Sequence, residues 1–131
     1  MAVVDTHALR WAALGLSRKL GREARRLISR ADTGRAAIYV PTIVLVEVGE
    51  AAWRGRVRLR GGFSSWTLGL FSNPSYVPLE PTTAVVLRAQ ELYGISERSD
   101  RLIAASALEL GCPVMTADPE ITAHPEVETL W

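Results

Sequence analysis

A single cysteine, a single lysine, two histidines and two methionines in 131 residues close off several chemistries at once. Cys112 alone forms no internal disulfide, so the chain suits a reducing compartment, and the cytoplasm is its expected location. Followed by Pro113 and an apolar stretch, Cys112 reads as a small buried hydrophobe rather than a reactive thiol. No Cys/His spacing of the zinc-binding kind occurs. No apolar run approaches the roughly 20 residues that span a bilayer, so no membrane association is expected. Asp5 interrupts the N-terminal apolar stretch too early, and no positive flank precedes it, so no signal peptide is expected. Linkers, internal repeats and low-complexity tracts are absent as well.

With 48% hydrophobic residues, the chain can bury a core of its own and is expected to form one domain over residues 1–131. Its net charge of +1 hides an asymmetry. Residues 1–60 hold eleven arginines and Lys19 against five acids, a balance of +7; residues 61–131 hold three arginines against nine acids, a balance of −6. Arg18 to Arg30 carries a cluster that suits a solvated helix face equally well. Arg54, Arg56, Arg58 and Arg60 alternate with Gly55, Val57 and Leu59, offering forked donors to phosphate or to an acidic partner protein. Trp53 beside them is a candidate for base stacking or partner contact, whereas Trp66, at helical spacing from Leu70, is expected in the core.

Strand and helix signals alternate. Strands are predicted at Ala2 to Asp5, Ala37 to Val40, Tyr76 to Leu79 and Val114 to Thr116, with a fifth at the edge from Val127 to Leu130. Helices are predicted to start at caps Thr6, Thr42, Ser64 or Ser65, Thr82 or Thr83, and Ser96, with a further helix from Arg22 to Ala31. Repeated strand–helix units predict an α/β protein, a three-layer α/β/α sandwich around a mostly parallel sheet.

Within this pattern four carboxylates need explaining: Asp5 after Ala2-Val3-Val4, Glu47 as the only charge in Ile43 to Val48, Asp100 in the first turn of a helix, and Asp118 after Pro113 to Thr116. Ionised carboxylates in apolar surroundings cost several kcal/mol unless a cation or donors compensate them. Asp5 and Asp118 fall at the carboxyl ends of strands, where open α/β sheets form their ligand crevice. Helical offsets put Asp100 on one face with Ile103, Ala104 and Ala107, and Glu47 with Ile43, Val44 and Ala51, so both should point inward. Taken singly, Asp5 could cap a helix, Asp100 could complement a helix dipole, and Asp118 before Pro119 could form a turn. Taken together, they predict one acidic pocket that selects a hard cation, Mg²⁺ or Mn²⁺. His7 and His124 read as surface or capping groups.

The segments Val3 to Leu9, Pro41 to Glu47, Ser99 to Ala105 and Met115 to Asp118 resemble, in order and spacing, the PIN-domain nucleases, and their size and arrangement look most like the VapC toxins of toxin–antitoxin pairs. The resemblance implies a metal-dependent endoribonuclease acting on RNA. It implies Asp5, Glu47, Asp100 and Asp118 as the catalytic and metal-binding acids, with Thr6 and Thr116 as polar neighbours. It further implies a cognate VapB-like antitoxin that places a basic side chain near the acids, and a homodimer or a toxin–antitoxin hetero-oligomer. Arg101, beside Asp100, could clamp phosphate or pair with an acid. Where similar chains carry an aspartate three positions before the third acid, this one has Glu97. A catalytically impaired RNA- or protein-binding module is the alternative that substitution keeps open. A small-molecule phosphatase normally has a second acid two residues after the first, where this chain has His7. A receiver-like domain expects a late-strand lysine, and Lys19 lies elsewhere.

Overall fold

A computed structural model describes residues 1–131 as five strands and seven α-helices. Strand β1 (Ala2–Val4) leads to α1 (Thr6–Ala13), a 3-10 turn (Ser17–Lys19) and α2 (Arg22–Asp32). Then come β2 (Ile38–Pro41), α3 (Thr42–Trp53), α4 (Phe63–Ser72) and β3 (Tyr76–Leu79). The chain closes with α5 (Thr83–Gln90), α6 (Arg98–Leu110), β4 (Val114–Met115), α7 (Pro119–Ala123) and β5 (Thr129–Leu130).

All four strand pairings are parallel, in the order β3-β2-β1-β4-β5. Consecutive strand residues face opposite sides, yet Ala2, Val3 and Val4 are all buried. Both faces of the central strand are therefore covered, which explains why β1 is continuously apolar rather than alternating. The chain steps from β1 outward to β3, then crosses back past β1 to β4 and β5. The direction of winding thus reverses between β1 and β4, and Asp5 and Asp118 follow the carboxyl ends of those two strands.

Helix α6 packs on β1 and β4 and also against α3 and α5. Ala104, Ala105 and Ala107 are buried, and small side chains let the helix lie close to the sheet. Ile103 on the same face is fully buried, and Asp100 sits one turn before it. Gly111 ends the helix in a left-handed conformation (φ 64°), with its N–H directed to the last-turn carbonyls of Ala107 and Leu108. Trp131 seats against the start of α2. A Cβ on Gly21 would collide with the backbone of Trp131, and the Glu23 N–H donates to the Trp131 carbonyl at 3.2 Å.

The strands and main helices fall where the sequence predicts them, and Thr82 caps α5 by accepting the Val85 N–H. The other caps differ. Asp5, not Thr6, caps α1: its carboxylate accepts the Ala8 N–H, while the Thr6 hydroxyl turns to Glu47. Thr42 is already inside α3, behind Pro41, whose fixed φ leads the strand straight into the helix. Helix α4 starts at Phe63, after Gly62 at φ 87°, rather than at Ser64 or Ser65. Ser96 bonds Glu120 instead of capping α6, whose cap position is Glu97 with no side-chain bond. Strand β5 is limited to Thr129–Leu130. Helix α7 has too few residues to show a period.

Ile103→Ala should cost about 2–5 kcal/mol, the usual range for emptying a fully buried aliphatic site. Urea unfolding followed by circular dichroism measures it; a loss below about 1 kcal/mol would mean that α6 is not anchored through this residue.

Candidate active site

Asp5 is the most buried of the acids, 4% exposed at the mouth between β1 and β4. The Asp5 N–H donates to the Met115 carbonyl at 3.2 Å, which carries the sheet pairing up to the acid itself. Its Oδ1 accepts the Ala8 N–H at 2.7 Å and its Oδ2 accepts the Thr116 hydroxyl. Burial pushes its carboxyl above the ordinary range, while the Thr116 and Ala8 donors oppose that rise. Thr116 is held in turn, its N–H donating to the Leu130 carbonyl at 3.2 Å and its oxygen accepting the Asp118 N–H at 2.9 Å. One threonine therefore links Asp5, Asp118 and the edge strand.

Asp118 caps α7, with Oδ1 accepting the N–H groups of Glu120 at 2.9 Å and Ile121 at 3.1 Å. The capping role and the site role are compatible, since only one oxygen is used. Glu47, half-buried in α3, accepts the Thr6 hydroxyl at 2.6 Å. Thr6 and Thr116, the expected polar neighbours of the acids, thus each donate to a carboxylate.

Asp100 differs from the other three. No donor bonds its carboxylate, whose pKa is pushed up to about 7, first by burial and then by the charges of Asp118, Glu47, Asp5 and Glu97. The acids predicted from sequence are thus within electrostatic reach of one another, and Glu97 joins them from the exposed cap position of α6. No three of them are drawn tightly enough to form a closed metal-binding group. The donor set still fits a hard divalent cation. It is all oxygen, Asp100 is uncompensated, and the protein's only two ion pairs, Arg88 with Glu91 and Glu126, lie elsewhere. Mg²⁺ in particular uses one or two carboxylates and keeps several waters, so an open arrangement of acids suits it.

Arg101 is turned away from the carboxylates: its guanidinium donates to the carbonyls of Ile95 at 2.9 Å and Ser96 at 2.7 Å, pinning the loop before α6. Trp53 is 86% exposed, and Arg54, Arg56, Arg58 and Arg60 are exposed while Val57 and Leu59 are buried between them. This segment starts about 10 Å along α3 from Glu47 at 1.5 Å per residue. A groove of about 600 Å³ runs beside it, lined by Trp53, Arg58 and Phe63 among others. Trp66 is half-buried, packed on the core and stacked on Phe63 at 6.3 Å. His7, read from the sequence as a surface or capping group, is exposed, and with Trp11 it lines a pocket beside Asp5 and Asp118. The signal for this pairing was the four-residue spacing on α1 directly after Asp5.

A crevice beyond the carboxyl ends of parallel strands is where open α/β domains bind their ligands. The family is narrower than that class: the PIN-domain family model matches residues 2–127, and the chain belongs to this family, whose members are generally nucleases. Solved structures share its fold, two of them toxin–antitoxin assemblies. A toxin–antitoxin complex from Klebsiella pneumoniae has a TM-score of 0.65 at 16% identity, over 98% of this chain and 97% of that chain. VapBC2 from Rickettsia felis, bound to a DNA fragment from its promoter, has a TM-score of 0.71 at 15% identity, over 98% and 96%. No curated protein matches the sequence.

The raised pKa of Asp100 has a definite stability sign. Its unfolded value is 3.8 and its folded value about 7, so the folded state holds an extra proton between them and loses stability as pH rises through that window. In EDTA, Asp100→Asn should therefore raise stability by about 1–2 kcal/mol at pH 8, with the gain vanishing near pH 4. Chemical denaturation across that range measures it. A variant equally or less stable at pH 8 would show that the charge of Asp100 is not a burden on the fold.

Proposed function

We propose that this chain is a Mg²⁺- or Mn²⁺-dependent endoribonuclease, the toxin of a VapBC-type toxin–antitoxin pair, hydrolysing phosphodiester bonds in structured RNA. The observation that carries the reading is Asp100, an acid without a donor facing the charges of four others at the switch point of a PIN fold. Asp5, Asp100 and Asp118 would hold the ion, and Glu47 would complete the site or orient the attacking water. When bound, the ion supplies charge neutralisation at the scissile phosphate and activation of water.

The chain's own residues then fix geometry. The Ala8 N–H and the Thr116 hydroxyl hold both oxygens of Asp5, the Thr6 hydroxyl aims Glu47, and the first turn of α7 holds one oxygen of Asp118. A cation held there would offset the negative charge that, after burial, raises the pKa of Asp100, so occupancy of the site and ionisation of the acid would favour each other.

The two structures of like fold contain a toxin with its antitoxin, which supports a VapB-like partner for this chain. A basic side chain of that partner would satisfy the acids and exclude the metal. Trp53, Arg54, Arg56, Arg58 and Arg60 form the face offered to RNA or to the partner. Exposed Val46, Trp53 and Leu68 on α3 and α4 would bury best in a homodimer or hetero-oligomer.

Purified protein incubated with total RNA should give discrete products in Mg²⁺ or Mn²⁺ and none in EDTA, and Asp5→Asn should lose at least about 100-fold in rate. Absence of cleavage by a folded, antitoxin-free sample would favour the binding-module alternative, with Glu97 as its marker. Thr116→Ala should lower activity by roughly 10–100-fold, because it frees the ligand it orients, and Thr116→Ser should restore most of it. Unchanged activity in Thr116→Ala would remove this threonine from the site.

A further inference from the structure

Beside the acids the surface sinks into a pocket of about 290 Å³ lined by Asp5, His7, Trp11, Ala117 and Asp118. One wall is the carboxylate pair just described; the other is aromatic. His7 and Trp11 are four residues apart on α1, so their side chains share a face, with ring centroids 5.8 Å apart and planes tilted by 49°. Trp11 is braced from behind. The Trp131 ring meets it at 5.6 Å and 64°, and the Lys19 ammonium lies 5.8 Å from its centroid. Trp131 is itself seated by the Glu23 N–H and the close approach at Gly21. The result is a rigid, half-exposed indole beside a freely exposed imidazole, opening directly onto Asp5 and Asp118.

We propose that this pocket receives the nucleobase next to the scissile phosphate in an unpaired RNA segment, with Trp11 as the stacking platform and His7 at its edge. The inference rests on the ribonuclease reading and adds to it a residue that selects how RNA is presented. A phosphodiester seated at the acids carries a base within one nucleotide, and the ground beside Asp5 and Asp118 repels a second phosphate. A flat, neutral π-system is the part of the substrate that fits there. Bases inside a duplex are already stacked on one another, whereas bases in loops and bulges are free to stack on an aromatic side chain.

The test is binding of an unstructured RNA of about ten nucleotides against its abasic counterpart, measured in Ca²⁺ for the native protein, Trp11→Leu, Trp11→Phe and His7→Ala. The native protein should prefer the base-bearing RNA by about tenfold or more, the lower range for one base on an aromatic ring. Trp11→Leu should reduce that ratio to about twofold, Trp11→Phe should restore most of it, and His7→Ala, at an exposed position, should lower it without affecting folding. Thermal melting identifies a variant that fails to fold, in which case Trp11→Phe and His7→Ala decide. A ratio unchanged in the folded variants, or no preference in the native protein, overturns the proposal. Absence of RNA cleavage in Mg²⁺ would overturn the ribonuclease reading instead, since the binding ratio is read without turnover.

Discussion

The structure is organised around negative charge that the chain gathers and does not neutralise. Asp5, Glu47, Asp100 and Asp118 are distant in sequence, yet all bear on the crevice at the carboxyl ends of β1 and β4. Fifteen lysines and arginines are available, but the only ion pairs are two exposed ones at Arg88. What the protein provides instead is hydrogen-bond donors to Asp5, Glu47 and Asp118, and none to Asp100. Donors hold carboxylates in place at modest energetic gain, whereas only a cation removes their mutual repulsion. The fold thus tolerates a local electrostatic penalty that disappears when positive charge arrives from outside.

The supporting framework makes that tolerance workable. A parallel sheet places two strand ends side by side, and helix caps immediately after each strand fix Asp5 and Asp118 through one oxygen each. Thr116 ties these two acids together across the β1–β4 junction, and Thr6 ties α1 to Glu47 in α3. Helix α6, packed on the sheet through its buried alanines, brings in Asp100 from its first turn. The same devices that end strands and start helices therefore build the site.

Much of this was legible in the sequence because burial leaves a simple trace. Lone charges inside apolar runs marked Asp5 and Glu47, and three of the chain's four aspartates sat at element boundaries. The fourth, Asp32, proved structural, accepting the Tyr76 hydroxyl at 2.7 Å; burial, and then this bond, raise the pKa of that phenol. Caps were less legible. Asp5 and Thr6 are both good capping residues, and the choice depended on Glu47, 41 residues away, competing for the Thr6 hydroxyl. Ser96 was likewise diverted by Glu120, and Arg101 by two carbonyls of the preceding loop. In each case a long-range or loop partner overrode a local preference. His7 was legible as a surface group, but the pocket it shares with Trp11 was not, because that pocket depends on side chains from separate elements.

The polarity of the molecule fits the same account: acids concentrate in the crevice, while the alternating arginines after Trp53 lie along α3 from it, where a polyanion or an acidic partner could be held without neutralising the site. The central claim is that the crevice acids bind a divalent cation. Calorimetric titration of Mg²⁺ and Mn²⁺ into the native protein and Asp5→Asn, at pH 6 and pH 8, tests it most directly. The account predicts saturable binding to the native protein, greater proton release at pH 6 than at pH 8, and loss of both in the variant. No saturable binding, or equal binding by the variant, would contradict it.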